Sequence, residues 1–313
     1  MNTYNSAFYA VAALLVVLML YYYQSLNHAI IESSQQKMNR NEYSEAFDES
    51  YGFFNDIRNS DWAMLKNRVH ERQNHVEMND PKKWMRDDGP AWYMFSFNPD
   101  FTCLHERRVG GMSDGSKWVC DPHRIMAVSN ERRKKGENGC LIYSIGSNGN
   151  FDFEQAMLEA TNKHGRVNDE PCEVHIFDPK NYGEVTPNGM HFHHWGIKGS
   201  SNKNIGPNFK SLQQTVNSLG HHGKVIDIFK IDCEGCEWES YNDWFGSGVT
   251  MSQILVEVHG NPDPQAIDFF ETMQHNNYVT FHKEPNLIGD GRCMEYAFLK
   301  LDSKFFEGNF LYE

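Results

Sequence analysis

The sequence predicts an α/β fold: a mostly parallel sheet with helices on both faces, behind an uncharged apolar N-terminal segment. Two observations carry the sheet. Between Cys140 and Asp178 two apolar strands flank a helical pattern, and each strand ends in a polar turn. Further strands then alternate with helices almost to the C-terminus, the pattern of a parallel sheet covered on both faces. The apolar N-terminal run is the third observation.

The elements follow in order. Leu141–Ile145 is the first strand and runs into Gly146-Ser147-Asn148-Gly149-Asn150. A helix follows, with Phe153, Ala156, Met157 and Ala160 on one face. Val174–Phe177 is the second strand, ending at Asp178-Pro179, and Met190–Trp195 the third. Phe209, Leu212, Val216 and Leu219 share a helix face before the fourth strand, Val225–Ile231 (VIDIFKI). The fifth strand is Ile254–Val258, and a helix carrying Ile267, Phe270 and Met273 comes next. Asn277–His282 and Tyr296–Leu301 close the chain as an antiparallel pair. Upstream, a helix is expected around Ser60 to Val76, and Tyr93 to Val128 reads as strands and turns capping the main domain. The expected organisation is a membrane segment at 1–30, a stem and helical extension at 31–92, a cap at 93–136, and the main domain at 137–313.

Phe8 to Tyr23 (FYAVAALLVVLMLYYY) contains no charge, and no charged side chain precedes Glu32. With Ala7 and Gln24 to Leu26 the stretch reaches the lower limit of about 17 to 20 residues that a membrane span needs. Bulky residues after it argue against cleavage, and the three tyrosines suit an interfacial belt, so an uncleaved signal-anchor is expected. The alternative is a cleaved signal and a secreted form. A single anchor favours a lumenal ER or Golgi domain.

The net charge of −13 disfavours nucleic acid as a partner. The basic run Arg132-Arg133-Lys134-Lys135 reads as a solvated loop. Seven cysteines leave at least one thiol unpaired; Cys103 and Cys120 bracket a turn-rich segment and are candidates for a disulfide. Cys140 reads as a buried small apolar residue. Cys233 and Cys236 form a C-x-x-C without a second pair to complete a zinc site, which leaves a redox pair as the lesser option. His191 and His193 alternate onto one strand face, but without a matched third ligand they read as packing, so no metal is expected.

Ligands of such sheets bind outside the carboxyl ends of the strands. The Gly146 turn can bring backbone N–H groups to a ligand, and Asp178 can accept hydrogen bonds from ribose hydroxyls, which points to an adenosine-containing cofactor. The fourth turn, Asp232-Cys233-Glu234-Gly235-Cys236-Glu237-Trp238, delivers two carboxylates to the same edge, suited to a base or to holding an amine. Glu237 reads as a helix-start acid favoured by the macrodipole. Glu257 and His259 share a face of the fifth strand and are candidates to reach the cleft.

The motifs YSIGSNGNFDFE, HIFDP, FKIDCEGCEW and ILVEVHG, in this order, resemble the membrane-anchored methyltransferase-like proteins of animals, related to FkbM-type methyltransferases. The resemblance spans about Cys103 to Leu301, and DxEGxEW is its most specific piece. It implies a seven-stranded class I fold that uses S-adenosylmethionine for transfer to an oxygen or nitrogen nucleophile. Carried over, Gly146, Ser147 and Asn148 line the methionine part of the cofactor, and Asp178 binds its ribose. Ser144 stands where the commoner loop has an acid, so the cofactor's ammonium is expected to meet Glu154 or Asp232. Asp232, Glu234 and His259 are the candidate catalytic residues. A carbohydrate or a secretory-pathway protein is the expected acceptor. The competing readings are a nicotinamide-dependent oxidoreductase, for which no second glycine-rich half is found, and a non-catalytic binding protein with a decayed site.

Overall fold

The computed structural model describes residues 41–74, 89–112, 114–162, 170–202, 206–260, 264–287 and 293–307, together with Met19 and Tyr22. Apart from those two residues, the expected anchor lies outside the described residues. Among those described, no helix is long and apolar enough to cross a membrane.

The chain begins with α1 (Ser44–Glu49), α2 (Asn59–Asn74) and α3 (Gly89–Phe95), then the hairpin of β1 (Arg107–Val109) and β2 (Lys117–Val119). Next come α4 (Pro122–Lys134), β3 (Leu141–Ile145), α5 (Asp152–Asn162), β4 (Glu173–Phe177) and β5 (Met190–His193). A small pair, β6 (Gly196–Ile197) and β7 (Phe209–Lys210), leads into α6 (Leu212–Leu219) and β8 (Val225–Ile231). The remainder is α7 (Cys236–Trp244), β9 (Thr250–Val258), α8 (Pro264–His275), β10 (Tyr278–Pro285) and β11 (Met294–Lys300).

Seven strands form one sheet in the order β10-β11-β9-β8-β3-β4-β5. β11 pairs antiparallel with both neighbours and every other pairing is parallel, as the strand and helix alternation predicts. The central strands are apolar runs because helices cover both their faces. All five residues of β3 are buried, and so are Ile226 to Ile231 of β8. One face packs Ile142, Val174 and Ile228 against Phe153 and Met157 of α5 and Ile125 of α4. The other packs Ile145, Phe229 and Val256 against Leu212 of α6, Trp244 of α7 and Phe269 of α8. From β3 the chain winds outward to β4 and β5, then returns to β8 on the other side. The strand order reverses between β3 and β8, which is where ligands of open α/β sheets sit.

Several expectations need correction. Phe209 belongs to the short strand β7, not to the helix that Leu212 starts. The cap contains the helix α4 and the last residues of α3 besides its hairpin. The basic run is no solvated loop: Arg132 to Lys134 form the last turn of α4, where cations suit the helix dipole. Arg132 there donates to the buried Asp227 carboxylate at 2.7 Å. Cys140 is no free apolar residue either, because it forms a disulfide with Cys172. Cys103 and Cys120 are bonded, and so are Cys233 and Cys236. Cys293 is the free cysteine among the described residues.

The hairpin docks firmly. The Cys120 N–H donates to Gln253 Oε1, and Gln253 Nε2 donates back to the Cys120 carbonyl, both at 2.9 Å. These two hydrogen bonds tie the end of β2 to β9, and Lys117 of β2 meets the acids Asp232, Glu257 and Glu295.

Candidate active site

A cleft of about 430 Å³ opens at the carboxyl ends of β3, β4 and β8. Gly146, Ser147, Asn148, Asp178, Asp232 and Glu234 line it, from three separate turns. Gly146 has φ +79°, and a Cβ there would collide with the Asp232 carbonyl oxygen. Only glycine lets the β3 turn close this tightly on the β8 turn. The Gly146 N–H donates to the Phe177 carbonyl at 2.9 Å, and the Asp232 N–H to the Ile145 carbonyl at 3.0 Å. Thus the two turns and the end of β4 form one rigid floor.

Asp178 is 4% exposed. Its Oδ2 accepts from the Asn148 N–H at 2.9 Å and its Oδ1 from the Lys180 N–H at 2.8 Å. Each carboxylate oxygen keeps a second lone pair for a ligand hydroxyl. The acid therefore shapes the glycine turn as well as facing the cleft.

On the β8 side, Asp232 accepts from Lys117 Nζ at 2.9 Å. The same ammonium, from β2, donates to Glu295 at 2.7 Å and lies 3.7 Å from Glu257. Burial works against the Asp232 charge, but Lys117 and Lys230 outweigh it and hold the carboxyl well below its usual range. Glu257 goes the other way: burial, with Asp232 and Glu295 beside it, pushes it up to about 8. At neutral pH Glu257 keeps its proton while Asp232 stays ionised.

Glu234 sits at the tip of the turn with φ +59°, and its side chain is 90% exposed. The Cys233–Cys236 disulfide closes the loop around it. His259 Nε2 is 3.6 Å from Glu234 and 3.9 Å from Asp232. Glu237 is the residue that orients His259, accepting from both its backbone N–H and its Nδ1 at 2.9 Å. Burial pulls the imidazole pKa down, but Glu237, then Glu257 and Asp232, raise it to about 9. A charged imidazolium thus points its Nε2–H at two carboxylates.

A family model described as a methyltransferase domain matches residues 44–300, most of the chain. The chain belongs to that methyltransferase-domain family. The family uses S-adenosylmethionine. No curated protein sequence matches the chain. Among solved structures, it is similar to a Burkholderia thailandensis 1,6-didemethyltoxoflavin N1-methyltransferase, bound to 1,6-didemethyltoxoflavin and S-adenosylhomocysteine. The two are 10% identical, with a TM-score of 0.31 over 58% of this chain and 79% of the other. A Thermoplasma acidophilum protein is also 10% identical, with a TM-score of 0.25 over 64% of this chain and 92% of its own. The family assignment rests on the sequence match, not on these two likenesses.

Within this methyltransferase domain the structure brings Gly146, Ser147, Asn148, Asp178, Asp232 and Glu234 to one cleft, with His259 immediately behind the last two. It does not bring Ser144 and Glu154 there. Both are fully buried, and the Ser144 hydroxyl donates to the Glu154 carboxylate beneath the turn. The pair anchors α5 to β3, so of the two acids expected to meet an ammonium only Asp232 lines the cleft. Glu237 is also corrected. It is fully buried and accepts from the Gly235 N–H as well as from His259, so it does far more than face a helix dipole.

Sequence reasoning missed Lys117 and Lys230. Lys230 lines the cleft and is 2% exposed. Each left a signal: Lys230 interrupts the apolar run VIDIFKI, and Lys117 falls on the same face of its strand as Val119.

Proposed function

We propose that this methyltransferase domain transfers a methyl group from S-adenosylmethionine to an oxygen or nitrogen nucleophile. We also propose that it does so tethered to the membrane by its uncharged N-terminal segment. The reading rests on one observation: the Gly146 turn, Asp178 and the Asp232-to-Glu234 turn meet in a single cleft at the strand-order reversal. Gly146, where a Cβ would strike the Asp232 carbonyl, lets the β3 and β8 turns close together to form that cleft.

When bound, the cofactor supplies a methyl group on a positively charged sulfur. The chain's own residues do the rest. The Asp178 carboxylate accepts the ribose hydroxyls, and Ser147 and Asn148 of the Gly146 turn face the polar tail. Asp232, ionised beside Lys117, faces the cofactor's ammonium. Glu234 is the exposed carboxylate at the cleft mouth and receives the acceptor's proton at its Oε2. His259, locked by Glu237, holds that carboxylate in place from behind. Catalysis comes mainly from holding donor and nucleophile in line.

We read the acceptor as a carbohydrate or a secretory-pathway protein, modified in the ER or Golgi lumen. The three disulfides suit an oxidising compartment. We place the chain with the membrane-anchored, FkbM-related branch of methyltransferases on the DxEGxEW turn. Calorimetric titration of the purified full-length chain with S-adenosylmethionine and with NAD tests the core reading. Saturable binding of the first alone supports it. Binding of NAD alone would favour an oxidoreductase, and binding of neither a decayed site.

A further inference from the structure

The histidines of the β4–β5 face stand apart from the cleft, and the proposed methyl transfer does not use them. Parallel register sets Tyr143 of β3, His175 of β4 and His191 of β5 side by side across three strands. Glu173 lies on the same face two residues before His175, at the amino end of β4 and opposite the ligand edge. The end of α6 supplies a further ring. Its C-cap Gly220 turns the chain, the His221 N–H donates to the Val216 carbonyl at 2.9 Å, and His221 arrives 3% exposed above the row.

Glu173, His175 and His191 converge on one point, and His221 approaches it at Glu173. Glu173 Oε1 is 2.8 Å from His175 Nε2 and 3.6 Å from His221 Nε2. One ligand atom each from Glu173, His175 and His191 lies within 4.8 Å of the others. The outward ring nitrogens have partners of their own. His175 Nδ1 is 2.8 Å from His193 Nε2, and His221 Nδ1 is 2.7 Å from the Tyr143 hydroxyl. Without an ion the His175 Nε2–H donates to Glu173. Because both outer partners can accept an N–H, each ring can carry its proton on Nδ1 and offer the Nε2 lone pair to a cation instead. Metal-bound histidines show this arrangement, with the distal nitrogen held by an outer hydrogen bond that fixes tautomer and ring.

We propose that Glu173, His175, His191 and His221 form a structural zinc site. Three imidazole nitrogens and one carboxylate oxygen suit a tetrahedral Zn²⁺, whose bonds of about 2.0–2.2 Å put ligand atoms a little over 3 Å apart. The 2.8 and 3.6 Å separations bracket that value. Four protein ligands close the coordination shell, which marks a structural rather than a catalytic ion. Such an ion has a task here. The β4–β5 crossover carries only a 3₁₀ turn (Gly183–Val185) where other crossovers carry helices, so β5 is a weakly covered edge. Zinc would fasten β5 to β4 and to the end of α6. The charge of nearby Lys224 opposes a cation, and the Glu173 carboxylate offsets it.

The test uses full-length protein purified in detergent without chelator, loaded with zinc chloride and dialysed. Elemental analysis should find about one zinc per chain, and X-ray absorption should show nitrogen and oxygen neighbours without sulfur. His191→Ala, at an exposed position, and His221→Ala should each weaken zinc binding at least about tenfold in competition with a chelating dye. Each should also abolish the zinc-dependent rise in melting temperature, whereas Cys293→Ser should change neither. If His221→Ala fails to fold, His191→Ala decides alone. Absence of stoichiometric zinc in the loaded wild type, sulfur in the absorption spectrum, or unchanged affinity in His191→Ala would overturn the proposal.

Discussion

Asp178 has two tasks, and its replacement separates a cofactor role from a purely structural one. The carboxylate accepts from the Asn148 and Lys180 N–H groups while lining the cleft. Asp178→Ala should weaken S-adenosylmethionine binding by about 1–3 kcal/mol, the cost of unpaired hydroxyl bonds. Unchanged affinity by calorimetry in a folded variant would remove Asp178 from the site. The acids of the β8 turn divide differently. If Asp232 meets the ammonium, Asp232→Asn should lower both cofactor affinity and turnover, and it also removes a partner of Lys117. Glu234→Gln should spare cofactor binding and cut turnover by about 10²-fold or more, the scale of a positioned base. As a helix-start acid alone, Glu237 would contribute only about 0.3–1 kcal/mol of stability. Its burial and its bonds to Gly235 and His259 raise the expected cost of Glu237→Gln to about 1–3 kcal/mol in urea denaturation. Equal, small effects from all three β8-turn substitutions would make the acidic turn structural.

At the scale of elements, the β1–β2 hairpin matters because it carries Lys117 into the carboxylate cluster. The Cys103–Cys120 disulfide spans 17 residues and holds the hairpin's base. Replacing both cysteines by alanine should cost about 2–4 kcal/mol. If the disulfide fixes Lys117, the same variant should also bind S-adenosylmethionine more weakly. Normal cofactor affinity with lowered stability would confine the disulfide to a structural role. The elements themselves were legible in the sequence to very different degrees. β3, β4, β8 and β9 could be read because buried parallel strands are short apolar runs that end in polar turns. The cleft's main residues could be read from the same rule, since Gly146, Asp178 and Asp232 each follow one of those runs. What could not be read depends on register between distant segments. Lys117 reaches Asp232 across 115 residues, and Cys140 meets Cys172 across 32. His191 lacked a matched third ligand until strand pairing set it beside His175. Short-range patterning carries no information about such pairs. Glu154 failed for the opposite reason. It is close in sequence to the turn, but helical phase points it beneath β3 instead of into the cleft.

For the whole molecule, the anchor reading predicts resistance to alkaline carbonate extraction and an intact N-terminus by sequencing. A soluble form beginning after about Ala29 would show cleavage instead. The pH dependence of stability is a separate test of the buried charge cluster, and its sign follows from linkage. His259 is raised from 6.5 to about 9 in the folded state, so its stabilisation is full below 6.5 and is lost as pH rises through about 9. Glu257 is raised from 4.5 to about 8, so the folded chain binds an extra proton between those values and stability falls as pH climbs across them. Asp232 is depressed below 3.8, so its contribution is present above that value and disappears as acid titrates the folded carboxyl. Melting temperature should therefore peak in mildly acidic solution and decline through pH 8 and 9. Glu237→Gln removes the main partner that raises His259, so it should flatten the part of the decline above pH 6.5. Glu257→Gln cannot lose a proton, so it should flatten the part below pH 8. Burial lowers His193 and His221 to about 4, so both add stability as pH rises to 6.5. A wild-type profile that is level from pH 6.5 to 9 would therefore mean that neither Glu257 nor His259 is held away from its ordinary value.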